Sequence, residues 1–396
     1  MQNGFLKRYG KHIFIGLAVL SLVAAAIIGQ LGAKKADVEE YLVDILPAGA
    51  SASLMAERPA EDNYLYEVFE GGSITGYVAF GVGKGFGGPM LVMVLWSTEG
   101  VCLDIQVSLH HESKAWYDRL TADFFAQFIG KTYNSNFVLG EDVDAVSNAT
   151  RSSEGVNNGF LDGLYFMVQN VDAFGDVAIP SNPIQITPQV IVLVILLALV
   201  FTIRMVPALA KIGALRYLTL FLAFLTIGIF FSAPLSLSNF AVYLVGFSPD
   251  ISTNFYVYIL VFAVVGLILI FGKNFYCYWM CPFCAVQEGA HFLGANQIRP
   301  VTKRHLLFRN MRYVVLWLAL ILVLLMRNPA FAVFEPWGTL FTLSGDIMNW
   351  VLLGLVIAIG LFVYNFWCHY LCPVGATLDI VLKVRRWFVG LLKKTV

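Results

Sequence analysis

The sequence predicts a membrane all-α bundle of six transmembrane helices, which contains a tandem helical-hairpin repeat, together with an exported α+β domain. Of its 396 residues, 58% are hydrophobic and 13% are charged, whereas about a quarter of a typical soluble domain is charged. The charged residues lie between long apolar runs, which indicates a chain that crosses the bilayer several times. The formal net charge is zero, so the composition favours no nucleic-acid partner.

Six apolar runs approach the length of about 20 residues that a helix needs to cross a bilayer. The first has a basic flank, but its apolar core is too long for a signal peptide and Leu31-Gly32-Ala33 is a poor cleavage site, so we expect an uncleaved anchor. We therefore predict an anchor at 1–31, an exported domain at 32–188 and a five-helix membrane domain at 189–396. The runs fall near residues 12–31, 189–206, 214–233, 253–272, 312–327 and 350–367.

The Lys and Arg residues predict the orientation, because short cytoplasmic loops carry more of them than short exported loops do. If six helices alternate, seventeen basic residues of the termini and short loops fall on one side, and only Arg327 falls on the other. This predicts a multi-pass protein of the bacterial cytoplasmic (inner) membrane, surrounded by membrane lipid. Both termini are then cytoplasmic, and the globular domain lies on the outer face.

One motif in the predicted exported domain suggests a bound cofactor. The segment Asp144–Thr150 reads D-A-V-S-N-A-T, and such a polar segment can also cap a helix. It resembles the D-x-x-[S/T]-G-A-T motif of FMN-binding domains. The resemblance implies that a flavin transferase links the FMN phosphate to the hydroxyl of Thr150 as a phosphoester. It also implies that the other motif residues line the flavin site: Asp144, Ser147, Asn148 and Ala149. Asn148 replaces the family's glycine, and Asn is the next best residue for a left-handed backbone.

A glycine-rich loop and a short histidine motif precede the threonine motif. The loop spans Gly83–Pro89, and His110–Ser113 follows about twenty residues later. Glycines of this kind also occur in ordinary turns. In this order, the two segments are similar to the glycine loop and H-x-E-T region of the same FMN-binding domains, with Ser113 in place of threonine. The resemblance implies that Gly87, Gly88, His111 and Glu112 bind the cofactor.

Five of the six cysteines lie in the predicted membrane domain. Two segments, starting at Asn274 and Asn365, align without gaps as N-F-aromatic-C-x-x-x-C-P-x-[C/G]-A. The pairs Arg216-Tyr217 and Arg312-Tyr313 precede them at a nearly matching offset. We interpret this as a duplicated helical hairpin whose copies are related by an axis along the membrane normal, so that the two motifs face each other near the cytoplasmic ends of their helices.

Two facing cysteine pairs supply four thiolates, which is the ligand number of an iron–sulfur cluster or a tetrahedral zinc site. We predict an iron–sulfur cluster, with [4Fe–4S] favoured over [2Fe–2S], because disulfides are rare on the reducing side of the membrane. Cys284 aligns with Gly375 and is therefore left outside the ligand set. A radical-SAM-like spacing of Cys277, Cys281 and Cys284 is the competing interpretation. The predicted ligands are Cys277, Cys281, Cys368 and Cys372.

Paired C-x-x-x-C-P motifs after an FMN-binding domain resemble NosR/NirI-type membrane flavoproteins, and the layout is most similar to the short RdhC/PceC-type members. The resemblance implies electron transfer from a quinol or a cytoplasmic donor to an exported redox protein. The alternatives are a redox-sensing regulator, a maturation factor for an exported reductase, or a subunit of an Rnf/Nqr-like ion pump. The residues identify no catalytic group, and a quinol-linked oxidoreductase also fits. A hydrocarbon core of about 30 Å is a long distance between a cytoplasmic cluster and an exported flavin.

Overall fold

The computed structural model describes residues 2–32, 38–110, 112, 117–147, 149–175, 184, 186–294 and 308–395. It contains an antiparallel five-stranded sheet domain and a helical region. The strands are β1 Ser51–Arg58, β2 Asn63–Glu70, β3 Ser73–Lys84, β4 Pro89–Ser97 and β5 Cys102–Leu109. The helices are α1 Gln2–Gly32, α2 Val38–Ile45, α3 Ala122–Ala126, α4 Thr150–Asn170, α5 Pro188–Met205, α6 Pro207–Ala210, α7 Gly213–Ala223, α8 Leu237–Val245, α9 Phe255–Phe271, α10 Pro282–Leu293, α11 Met311–Met326, α12 Pro336–Thr342, α13 Ile347–Phe362, α14 Phe366–Tyr370 and α15 Pro373–Thr395.

The sheet is a meander with the strand order β1-β2-β3-β4-β5, and both of its faces are covered. Strand β4 is buried on both sides because its alternate residues enter two different cores. Val92, Val94 and Trp96 pack with residues of α4, whereas Leu91 and Met93 pack with residues of α2. Because successive side chains of a strand point to opposite faces of the sheet, β4 contributes to both cores of the domain.

Helix α4 lies directly on β3 because glycines face each other across the contact. A Cβ atom at Gly81 would lie 2.1 Å from the amide nitrogen of Gly163, and one at Gly83 would lie 1.7 Å from the carbonyl oxygen of Gly155. Any larger residue at these positions would push the helix away from the strand. The close approach brings the N-terminus of α4, which starts at Thr150, beside the end of β3 and the glycine loop.

The helical region contains three helices that are long and apolar enough to cross a membrane, or four if one bent pair counts as a span, among the described residues. These are Ile13–Gly32, Pro188–Met205 and Gly213–Phe230, in which the π-helix Phe224–Phe230 continues α7. The bent pair is α12 with α13, at an angle of 103°. The shorter apolar helices α9 and α11 lie at the fourth and fifth predicted spans. The protein is thus a membrane protein with a few candidate spans, and the count of six stays a prediction, as do the domain boundaries.

Two similar halves form most of the helical region, and we call residues 213–293 the first half and residues 311–395 the second half. In the first half, α10 lies antiparallel to the span at 213–230. Its Glu288 meets Arg216 near the start of that span, and its Pro282 packs beside Gly228 near the end. In the second half, Asp379 of α15 meets Arg312 at the start of α11. The two helices that follow the cysteine motifs therefore start inside the region and run back toward the Arg-bearing ends.

Candidate cofactor sites

The cysteine motifs lie where the chain reverses before α10 and α15. Cys281 is the N-cap residue of α10, and Cys372 directly precedes Pro373, the first residue of α15. The chain reverses after α9 because Gly272 adopts a left-handed conformation and the Asn274 side chain accepts hydrogen bonds from the next amides. Along α10, Cys281 lies about 10 Å farther into the region than Glu288, at 1.5 Å per residue. Each motif therefore folds back from the end of the preceding helix, and the position of the motifs at the cytoplasmic side stays a prediction.

The structure brings the two cysteine motifs together, as the repeat predicts. Cys368 lies beside Cys284, and Cys372 lies close enough to Cys277 and Cys281 for their charges to interact. Cys284 is buried at 2% exposure and lies beside the predicted ligands, while its counterpart Gly375 supplies no ligand. In the part of the chain that the structure describes, no group of three or more His, Cys, Asp or Glu residues has the arrangement of a metal site.

The chemistry of the donor set fits an iron–sulfur cluster. Five buried or half-buried thiols share one neighbourhood, and sulfur is the ligand that such clusters require. The amide of Gly375 donates a hydrogen bond to Cys372 Sγ over 3.2 Å, and hydrogen bonds to sulfur tune the potential of a cluster. The N-termini of α10 and α15, which are the positive ends of their dipoles, point at the same place.

Glu288 connects the cysteine neighbourhood to the rest of the helical region. Its carboxylate pairs with Arg216 and accepts hydrogen bonds from Tyr364 Oη (3.0 Å) and from Asn365 Nδ2 (3.4 Å). The Cys284 thiol also donates to Glu288, over 3.7 Å. Sequence reasoning missed this residue, although the signal was present: Glu288 and Asp379 are separated by the same 91 positions as the two cysteine motifs.

A second buried carboxylate lies on the other side of the cysteines. Glu335 is only 6% exposed, and both of its oxygens accept from the amide of Leu237 (3.1 and 3.0 Å). Glu335 is close enough to Cys372 to influence it electrostatically. Sequence reasoning had assigned this residue to a short exported loop, because nothing in the local pattern distinguishes a buried acid from a loop acid.

The predicted flavin residues are partly brought together in the sheet domain. Glu112 is buried, and its carboxylate accepts from the amide of Gly87 (2.5 Å) and from the hydroxyl of Ser152 (2.7 Å). These two hydrogen bonds join the glycine loop to the first turn of α4, where the Thr150 side chain is exposed. Gly88 adopts a φ of 137°, which requires glycine. His111, Ser113 and Asn148 lie outside the described residues. Ala149 is buried at the N-cap of α4, whereas Asp144 and Ser147 are exposed beside it.

A cleft of about 480 Å³ lies between the sheet domain and the helical region, beside Gly83 and Gly85 of the glycine loop. The sheet domain contributes Lys84, Arg151 and Glu154, and the helical region contributes its segment 242–258. The two sides touch, because Asn254 Nδ2 donates to Glu154 Oε2 over 3.1 Å. Burial raises the pKa of Glu154 and lowers that of Arg151. Sequence reasoning missed the 242–258 side entirely, because it treated the two regions as separate.

The one cysteine of the sheet domain has a structural role. Cys102 is fully buried in β5 among residues of the α4 core. Burial raises the pKa of its thiol to about 12, so the thiol stays protonated and unreactive at neutral pH.

Comparison with known proteins matches both candidate sites to families. The family described as "FMN-binding domain" matches residues 85–164, which include the glycine loop, Glu112 and Thr150. The family described as "4Fe-4S binding domain" matches residues 253–300 and 346–395, and each of these segments contains one C-x-x-x-C-P motif.

Protein NirI of Paracoccus denitrificans is 35% identical over 136 residues, which is 32% of this chain and 20% of NirI. Regulatory protein NosR of Pseudomonas aeruginosa is 32% identical over 126 residues, which is 30% of this chain and 18% of NosR. This chain thus contains matches to an FMN-binding domain and a 4Fe-4S binding domain, and it is similar to NirI and NosR over about a third of its length.

The chain is also similar to ferredoxin-type proteins. The methylamine utilization ferredoxin-type protein MauN of Methylobacillus flagellatus is 33% identical over 129 residues, or 31% of this chain and 44% of MauN. The chain spans about a fifth of the length of NirI and NosR and less than half of MauN. The matches therefore establish the kinds of domain present.

Proposed function

We propose that this membrane protein carries electrons between an iron–sulfur cluster in its helical region and a flavin on its sheet domain. The observation that carries the proposal is helix α8, which links the two sites. Its first residue, Leu237, is hydrogen-bonded to Glu335 on the cysteine side. Just beyond its last residue, Phe247 packs against Gly88 of the glycine loop. The helix is about 13 Å long at 1.5 Å per residue, so the two sites are separated by much less than a whole bilayer.

The cluster is proposed to be [4Fe–4S], held by Cys277, Cys281, Cys368 and Cys372. The flavin is proposed to be FMN, joined by a flavin transferase to Thr150 through its phosphate. The exposed position of Thr150 at a helix N-terminus supports this, because amides there favour a phosphate and an attaching enzyme could reach the hydroxyl. A bound flavin would supply both one-electron and two-electron chemistry, which suits a relay to a cluster that exchanges single electrons.

The chain's own groups would position both cofactors and exclude water between them. Glu112 keeps the glycine loop against the start of α4, so that the backbone can approach the flavin closely. Glu288 and Arg216 anchor α10, and the ion pair of Asp379 with Arg312 anchors α15. The aromatic rings of Phe283, Trp337 and Trp367 fill the interior next to the cysteines.

For the intact protein we propose six spans, both termini in the cytoplasm and the sheet domain on the outer face. The sheet domain contacts the 242–258 segment, and Arg327 stacks on Phe247 over 5.4 Å. The sheet domain and the two loops that carry few basic residues would thus share one side. A quinol or a cytoplasmic protein would donate electrons and an exported redox protein would accept them, as in the short RdhC/PceC-type members. A redox-sensing regulator is the second candidate, because the similar NosR bears the printed name of a regulatory protein.

Replacing the proposed acceptor hydroxyl tests the flavin attachment. We expect Thr150→Val protein to insert in the membrane and to lose all flavin fluorescence on a denaturing gel, because valine keeps the shape and lacks the oxygen of the phosphoester. Thr98→Val, an exposed threonine of the same domain outside the motif, should keep the fluorescence. Fluorescence that stays with Thr150→Val protein would refute the attachment site.

A further inference from the structure

The cleft between the sheet domain and the helical region is large enough for a small-molecule ligand. Its volume of about 480 Å³ lies within the range of about 300–1,000 Å³ that small-molecule sites occupy. One wall is the end of β3 and the start of α4, and the other wall is the 242–258 segment. The cleft lies next to the proposed attachment residue, since Arg151 directly follows Thr150 and lines it.

The cations of the cleft lie on the sheet-domain wall, which also carries the carboxylates of Glu154 and Asp162. On the sheet-domain side, the guanidinium of Arg151 lies over the ring of Phe86 at 5.5 Å, and Lys84 lines the same wall. The helical side contributes Asp250, whose Oδ1 accepts from the amide of Ser252 over 3.0 Å. The helical side also contributes the rings of Phe247 and Tyr258, and Tyr258 is fixed by its hydrogen bond to the carbonyl of Pro249 (2.7 Å). A planar aromatic ligand with polar edges suits such a lining.

We infer that the isoalloxazine ring of the flavin on Thr150 occupies this cleft, so that the 242–258 segment of the helical region forms half of the flavin site. The inference rests on the proposed function and adds to it the position of the ring and the residues that surround it. The phosphate would remain at the N-terminus of α4, and the ring would extend between Arg151 and the helical wall. The FMN-binding domain alone, residues 85–164, would then hold only the phosphate end of the cofactor.

This position makes a prediction about charge. A flavin gains negative charge when it is reduced, so a nearby cation stabilises the reduced form and a nearby carboxylate opposes it. Removing the negative charge of Asp250 should raise the flavin midpoint potential, and removing the positive charge of Arg151 should lower it. Asp250 belongs to the helical wall of the cleft and lies a hundred positions from Thr150 in the sequence. A shift of the flavin potential in Asp250→Asn therefore requires the ring to lie near that wall.

The test uses the full-length protein in detergent with its native flavin. The variants are Asp250→Asn, which keeps an acceptor for the Ser252 amide, and Arg151→Gln; the matched control is Asp172→Asn, an exposed carboxylate of the sheet domain outside the cleft. We expect the midpoint potential of the flavin to shift upward in Asp250→Asn, downward in Arg151→Gln and not at all in Asp172→Asn. Denaturing-gel fluorescence measures the attached flavin in every sample. If Arg151→Gln blocks attachment, Lys84→Gln removes a cation from the same wall.

The outcomes separate this inference from the proposed function. Fluorescent bands with potentials that do not respond to Asp250→Asn would place the ring outside the cleft and leave the flavin attachment intact. A shift in Asp172→Asn as large as that in Asp250→Asn would also overturn the inference, because it would indicate only the net charge of the protein. Unaltered protein without a fluorescent band would contradict the attachment to Thr150, and with it the position of the ring.

Discussion

The two halves of the helical region share one arrangement of helices and ion pairs, and they differ in the contacts that these ion pairs make near the cysteines. In each half, an arginine at the start of one helix pairs with a carboxylate on the helix that follows the cysteine motif: Arg216 with Glu288, and Arg312 with Asp379 at 2.8 Å. The Glu288 carboxylate is only 10% exposed, whereas that of Asp379 is 28% exposed. Both copies of the duplicated hairpin thus keep the ion pair that holds the helix after the cysteine motif in place. The carboxylate of this pair is more buried in the first half.

The difference extends to the neighbours of each carboxylate. Glu288 accepts from groups of the second half, Tyr364 and Asn365, and from the Cys284 thiol. Asp379 instead pairs with Lys383 of its own helix at 3.1 Å, near the exposed edge. The Glu288 carboxylate therefore joins the two halves around the cysteines. The Asp379 carboxylate pairs with groups of its own half.

The largest effect should come from the cysteines at equivalent positions. We expect Cys281→Ser and Cys372→Ser to lose nearly all cluster iron and acid-labile sulfide, because a hydroxyl is a poor substitute for a thiolate ligand. Cys284→Ser should keep both, because its counterpart Gly375 supplies no ligand. Iron and sulfide per protein in the purified variants measure this. Should Cys284→Ser lose the cluster while Cys368→Ser keeps it, the ligands would belong to the first half alone and the shared site would be wrong.

A smaller effect should separate the two ion pairs. Arg216→Gln leaves a buried carboxylate without its cation, which costs about 3–5 kcal/mol of stability. Arg312→Gln leaves Asp379 with Lys383 near the surface, and such pairs contribute about 1 kcal/mol or less. Thermal unfolding in detergent should therefore show a markedly larger loss for Arg216→Gln.

The matched control for this pair is a double variant in which no unpaired charge remains. Adding Glu288→Gln to Arg216→Gln should restore much of the lost stability, whereas adding Asp379→Asn to Arg312→Gln should change little. Equal losses for the two arginine variants would mean that the halves bury their ion pairs to the same degree in the membrane.

Much of the fold was predictable because it depends on local patterns. The gapless alignment of the two cysteine segments predicted that they would meet. Long apolar runs predicted the helices of the membrane region, although α9 and α11 are shorter than the spans expected there. The family matches at residues 85–164, 253–300 and 346–395 bear out the kinds of cofactor domain.

What the sequence did not predict depends on contacts between distant segments. The way the Cys277–Cys281 segment folds back follows from the chain reversal at Gly272 and Asn274, which a hydropathy pattern does not contain. The burial of Glu335 follows from its contact with Leu237, which lies 98 positions away. The cleft needs both the start of α4 and the 242–258 segment, so neither region alone contains a signal for it.

Electron exchange between flavin and cluster within one molecule tests the central claim most directly. The flavin of the purified protein would be reduced by light in the presence of a sacrificial donor, and the absorbance of both centres would then be followed in the dark. Provided that the measured potentials favour the transfer, we expect the cluster to become reduced as the flavin is reoxidised, with a rate that does not change when the protein is diluted tenfold. In Cys372→Ser protein the flavin should stay reduced. A rate that falls in proportion to the protein concentration, or no exchange at all under favourable potentials, would contradict the account.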